Sequence, residues 1–153
     1  MTALAVCHNV TPVYPEENNP SVKEFQASSP DEVALVKFAD YMGMRLIERD
    51  QQIIKIMNTT DTEESFQVIA NFPFSSDTKR MGIITRHIQT NQIIFYLKGA
   101  EVVMKDKVKP NQRVVVDEAC ENLALEGLRT LVISAKSIEE DELNKWMVKY
   151  RKA

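Results

Sequence analysis

The chain has 153 residues, 44% of them hydrophobic and 27% charged, with a formal charge of −3 and a pI near 5.5. A chain of this size buries roughly two thirds of its unfolded surface, enough for one core that needs neither metal nor disulfide. The acidic balance excludes a general nucleic-acid binder, whose footprint is a basic face. The longest apolar runs, Ile93–Leu97 and Val114–Val116, fall far short of the roughly 20 residues of a membrane helix.

Met1–Val10 lacks the basic start of a signal peptide, and Ala3–Val10 reads as the end of a helix. Thr11–Ser28 carries Pro12, Pro15, Pro20, Asn18 and Asn19 and reads as a surface loop, disordered in part. Ser29 is placed to cap a helix, with Pro30 in its first turn and Glu32 completing a capping box. Leu35, Phe38, Ala39 and Met42 follow at helical spacing, and Gly43 fits the position after the C-cap. Met44–Arg49, Gln52–Met57, Ser65–Phe72, Arg80–Arg86 and Gln92–Leu97 are rich in β-branched and aromatic residues and read as a meander of antiparallel strands. Asp117–Glu126 returns to helical spacing, with Cys120 and Leu123 inward and Gly127 as its stop. Leu128–Lys136 reads as one more strand, and Ser137-Ile138-Glu139-Glu140 as a capping box opening a final helix. The expected class is α+β, a twisted antiparallel sheet of about six strands flanked by helices, in a single domain over 1–153.

Cys7 and Cys120 show no ligand spacing and read as buried reduced thiols in a reducing compartment. His8 and His87 lack any Cys, His or Asp set with metal spacing, so core or solvated histidine is the expectation and no metal ligand is assigned.

The chemically suggestive stretch is Phe72-Pro73-Phe74-Ser75-Ser76-Asp77-Thr78-Lys79-Arg80-Met81, an aromatic ring beside hydroxyls and two cations. A flat base stacks on a ring, and its phosphates need cations. Phe74 follows Pro73 into a polar turn, where exposure competes with an ordinary core role. Lys79 and Arg80 are adjacent, so in a strand only one of them reaches a ligand. Ser76 suits a ribose or phosphate contact and suits turn stabilisation equally well. Two more cations sit beside glycines, where backbone approaches closely: Lys98 before Gly99, and Arg129 after Gly127 and before Thr130. Lys98 also reads as a snorkelling strand end, and Arg129 as an anchor for a structural carboxylate. Asp31 reads as a solvated first-turn acid.

Four segments in this order, Ser29-Pro30-Asp31-Glu32, Phe74 to Met81, Lys98-Gly99-Ala100-Glu101 and Gly127-Leu128-Arg129-Thr130, resemble the nucleotide-binding domain of P-type ATPases. The likeness is strongest to the phospholipid flippases, which share the Ser-Pro-Asp-Glu wording and lack the proline that ion pumps place before the acid of the Lys-Gly turn. It runs from about Leu4 to Lys152. Position by position, the resemblance implies that Phe74 stacks on adenine, Glu32 takes the adenine amino group, and Lys98 with Gly99 lies deep beside the base. It implies further that Lys79, Ser76, Arg129 and Thr130 serve ribose and phosphates, and it leaves Arg80 for a surface or packing role. Pumps often carry arginine where Ser76 stands, so their phosphate contacts do not transfer wholesale.

The same resemblance implies ATP as ligand, with Mg²⁺ accompanying it in a full-length parent. It also implies partnership with phosphorylation and actuator domains of the same chain, and residence as a cytosolic domain of an endomembrane (Golgi or endosome) or plasma-membrane protein. No direct membrane insertion and no nucleic-acid partner are expected. The Asp-Lys-Thr-Gly-Thr sequence of the phosphorylated aspartate is absent, as are phosphate-loop and nucleophile-elbow motifs. No catalytic residue is therefore assigned, and the expectation is ATP binding without hydrolysis. The alternative is a non-catalytic interaction domain with negligible ATP affinity; a self-sufficient kinase or phosphatase would instead turn over with Mg²⁺.

Overall fold

The computed structural model describes residues 1–15 and 23–152. Its centre is a six-stranded sheet in the order β3-β4-β5-β6-β7-β8, every neighbouring pair antiparallel. The strands are β3 (Arg45–Arg49), β4 (Ile53–Met57), β5 (Glu63–Phe72), β6 (Arg80–His87), β7 (Ile93–Gly99) and β8 (Val132–Ile138). The meander expected from the middle of the chain is present, and the α+β class with it.

Period-two alternation sends each strand's apolar residues to two faces. Leu46, Ile54, Ile56, Phe66, Met81, Ile83 and Tyr96 join one buried cluster with Ala5, Val6, Cys7, Val10, Val36 and Ala39. These last residues come from α1 (Thr2–Val6) with the turn after it, and from α2 (Pro30–Tyr41). On the opposite face Ala70, Ile84 and Ile93 pack with Leu143, Trp146 and Met147 of α5 (Glu140–Tyr150). Arg86 clamps that helix by donating from Nη1 and Nη2 to the two Glu140 carboxylate oxygens at 2.8 and 2.9 Å. Beyond β7 the chain leaves through α3 (Glu101–Met104) and α4 (Arg113–Leu125), which bury Met104 and Cys120 against Val132, and returns as β8.

Several boundaries differ from the sequence reading. Within 11–28, β1 (Thr11–Val13) and β2 (Glu24–Gln26) pair antiparallel, so that part is a two-stranded ribbon; 16–22 lies outside the described residues. The prolines misled because Pro12 stands in a two-stranded ribbon, where a missing N–H is tolerated. Helix α4 begins at Arg113 and leaves Leu123 42% exposed. Strand β8 starts at Val132 and runs through Ser137, so that serine stays in the sheet; Glu139 holds the N-cap position of α5 and no side chain caps it. Gly43 and Gly127 do end their helices, at φ +89° and +76°, where only glycine is unstrained. Cys7 and Cys120 are both free and buried.

Candidate nucleotide site

Helix α2 sets the first part of the site through a departure from the capping pattern. Ser29 holds the N-cap position, yet its side chain makes no capping bond. Glu32 has turned inward instead and shares the buried side of the helix with Val36 and Ala39, while Phe38 and Met42 stay about half exposed. Its Oε1 accepts from Lys98 Nζ at 2.9 Å, and its Oε2 accepts from the Asn9 backbone N–H at 3.3 Å. The side chains of the pair are only 7% and 12% exposed. A buried carboxylate needs such a cation more than a helix end needs a cap, and that preference overrides the local motif.

Lys98 arrives there by register. Ile94, Tyr96 and Lys98 alternate onto the α2 face of β7, and Lys98 lies directly opposite Met81 of β6. It is an internal ion-pair partner, not a strand end reaching to solvent.

The Phe74 turn is built by its hydroxyls. Ser75 Oγ lies 2.8 Å from Thr78 Oγ1 and accepts the Thr78 N–H at 3.1 Å, and the Lys79 N–H closes the loop on Ser75 O at 2.8 Å. Ser75, rather than Ser76, therefore ties the turn. Lys79 stands before β6 with φ +49°, so the opposite-faces argument for Lys79 and Arg80 does not apply. The Lys79 carbonyl accepts the Ala100 N–H at 3.0 Å, which binds the turn to the end of β7.

Gly99 makes that contact possible. A Cβ there would lie 2.7 Å from both Lys79 O and Arg80 Cβ, so the glycine serves close packing of chain on chain. Gly99→Ala is expected to cost about 1–3 kcal/mol by overpacking and to displace the Phe74 turn. Urea denaturation would measure the cost, and amide shifts confined to 73–80 and 98–101 would report the displacement.

These elements enclose one cavity of about 380 Å³, lined by Asn9, Ser28, Ser29, Asp31, Glu32, Leu35, Pro73, Phe74, Met81, Lys98, Gly99, Arg129 and Leu131. Its size falls within the usual range for small-ligand sites. Exposure grades from the Lys98–Glu32 pair inside to Phe74 at 59% and the Arg129 side chain at 80% outside. Arg129 Nη1 donates to Asp31 Oδ2 at 2.9 Å, so Asp31 is its partner and not merely a solvated acid. Of the residues expected from sequence, Glu32, Phe74, Lys98, Gly99 and Arg129 meet here. Ser76, Lys79 and Thr130 do not line the cavity; Ser76 and Lys79 are exposed on the Phe74 turn, and Thr130 is half-buried between α4 and β8. Asn9, Leu35 and Leu131 were given no site role from the sequence, and Met81, although it closes the Phe72–Met81 stretch, was given none either.

Comparison with known proteins gives this cavity its context. The family described as P-type ATPase, cytoplasmic domain N, matches residues 1–152. The chain belongs to that family. Among its relatives are the "Probable phospholipid-transporting ATPase IIB" of Danio rerio, 39% identical over 99% of this chain and 15% of that protein, and the "Probable phospholipid-transporting ATPase tat-5" of Caenorhabditis elegans, 43% identical over 92% and 13%. The "Phospholipid-transporting ATPase NEO1" of Saccharomyces cerevisiae is 38% identical over 98% of this chain and 13% of its own. The chain thus spans about one seventh of the length of these relatives. Among the described residues of this domain N, no helix is long and apolar enough to cross a membrane.

Proposed function

We propose that this domain N binds ATP through the cavity between α2, the Phe74 turn and the end of β7, on behalf of a phospholipid-transporting P-type ATPase. The carrying observation is one small cavity with an exposed ring on its wall, a buried Lys98–Glu32 pair inside and a guanidinium at its mouth. Adenine stacks on Phe74 and offers its amino group to Glu32, while the Lys98 stem packs along the base. Ribose and phosphates lead outward past Arg129, which exchanges Asp31 for a phosphate oxygen; Lys79 and Ser76, exposed on the same turn, serve the phosphate tail. Thr130 has the weaker claim, because it lies neither on the cavity wall nor on the exposed Phe74 turn.

Phosphoryl transfer needs an in-line nucleophile and a cation at the developing charge. Among the described residues no three acidic, histidine or cysteine side chains cluster to hold a metal, and the cavity's two acids are already paired. This chain's own donors do not fit a resident Mg²⁺, so the ion enters with the triphosphate. The domain therefore presents the γ-phosphate to an aspartate on a separate phosphorylation domain, and an actuator domain completes the cycle that moves a phospholipid. The setting is the cytosolic side of an endomembrane or plasma membrane.

Titrating the ¹⁵N-labelled domain with ATP, AMP and GTP tests the reading. Adenine nucleotides are expected to move amides around Phe74, Lys98, Gly99 and Arg129. Phe74→Ala is expected to weaken ATP binding by about 1–3 kcal/mol while changing stability by less than about 0.5 kcal/mol, since the ring is mostly exposed. Absence of any response at millimolar nucleotide, in either form, would favour a non-catalytic interaction domain.

A further inference from the structure

His8 is fully buried, and both of its ring nitrogens are engaged by backbone. Nε2–H donates to Ala5 O at 2.8 Å, and Nδ1 accepts the Val10 N–H at 3.0 Å. The ring is thereby a neutral tautomer that staples the turn between α1 and β1 from inside. The next residue, Asn9, is exposed, lines the cavity, and points its backbone N–H at Glu32 Oε2. Three outer contacts hold the same turn. Arg49 Nη1 donates to Val6 O at 3.2 Å and its Nη2 to Asn9 Oδ1 at 3.5 Å, and Asn71 Nδ2 reaches Asn9 Oδ1 at 3.4 Å.

We infer that His8 is a positioning residue for base recognition: it fixes the turn that brings the Asn9 N–H onto Glu32 and so sets the plane of that carboxylate. The ammonium of Lys98 grips Oε1 alone and leaves the carboxylate free to rotate about its Cγ–Cδ bond. A second donor on Oε2 removes that freedom and holds the remaining lone pairs in one orientation toward the cavity. Fixed acceptors select a base edge carrying an amino donor and disfavour one carrying a carbonyl. This rests on the ATP-binding reading above and adds to it a residue that never touches the ligand.

The test compares ATP with ITP, which replaces the amino group by a carbonyl, by titration calorimetry or amide shifts. The unaltered chain is expected to favour ATP by about tenfold, as for one hydrogen bond to a charged group. His8→Leu, which removes both ring bonds, is expected to bring the ATP-to-ITP ratio within about twofold of one, chiefly by weakening ATP. His8→Asn keeps an acceptor close to the Nδ1 position and is expected to retain the preference. Should His8→Leu fail to fold, His8→Gln takes its place, because its longer chain carries the acceptor away from the Val10 N–H. A preference unchanged in His8→Leu or His8→Gln overturns the inference, as does equal weakening of both nucleotides or failure of His8→Asn to keep the ratio. An unaltered chain that binds neither nucleotide overturns the ATP reading itself, and one that binds both alike overturns the role of Glu32.

Discussion

Lys98→Met is expected to destabilise the domain by about 3–5 kcal/mol, because it leaves a buried carboxylate without its cation. Glu32 would retain only the Asn9 N–H, a single long bond that cannot offset the desolvation of a charge. Replacing both partners, Lys98→Met with Glu32→Leu, is expected to recover most of that loss, since an apolar pair satisfies the same space without any charge to solvate. Neither variant is expected to bind ATP. Urea denaturation of the two variants measures the first effect, and nucleotide titration at a temperature where both are folded measures the second. A cost below about 1 kcal/mol for Lys98→Met would place the pair with solvent-screened surface bridges, against its 7% and 12% side-chain exposure. Lost ATP binding with recovered stability in the double variant would show that the pair is kept for the ligand.

The sheet was legible in the sequence because its signal is local. Strands β3 to β7 are short runs of β-branched and aromatic residues, and the alternation that places Met81, Tyr96 and Lys98 on one face follows from the pleat alone. Helix C-termini were legible where backbone strain decided them, at Gly43 and Gly127, and the start of α2 was legible at Ser29 and Pro30. Both capping boxes were misread for the same reason. A residue that can cap locally was claimed by something distant in sequence: the Glu32 side chain by Lys98, and the Ser137 backbone by pairing with Ile94 across β7 and β8. Short-range motifs lose such contests to tertiary demands.

The site was legible where a residue type is itself unusual, and illegible where only geometry gives it a role. A phenylalanine in a polar turn and a lysine ending an apolar strand invite notice, and family resemblance supplied their roles. Asn9 contributes a backbone N–H, which every residue but proline carries, so no pattern could single it out. Gly99 was noticed for its freedom to approach a ligand, whereas the atoms a Cβ there would strike belong to Lys79 and Arg80. Arg129 shows the two readings coexisting: it anchors Asp31 at an exposed bridge that costs little to break, and so remains available to a phosphate.

Acid is expected to unfold the domain sooner than its acidic pI suggests, through His8. Burial, then the facing guanidinium of Arg49 on β3, and further the ammonium of Lys98 on β7, hold its pKa down at about 3, against 6.5 for the free side chain. Glu32 on α2 pairs with that ammonium and offsets part of its effect. The folded pKa lies below the unfolded one, so between them the unfolded chain binds the extra proton. Stability from the neutral ring is complete above about pH 6.5 and is lost as pH falls toward 3. At about 1.4 kcal/mol per pH unit for one proton, the loss from pH 6.5 to 4.5 is roughly 2.5 kcal/mol. Protonation also places a second N–H against the Val10 donor, which breaks the staple described above. The measurement is the pH slope of unfolding free energy for the unaltered chain and for His8→Asn, which carries no titratable group at that position. Subtracting the two cancels the carboxylates they share. A difference in slope of about one proton between pH 6.5 and 4.5 is the expected result; parallel curves would mean that the ring is charged or solvated in the native state, and the tautomer assigned to His8 would fall with it.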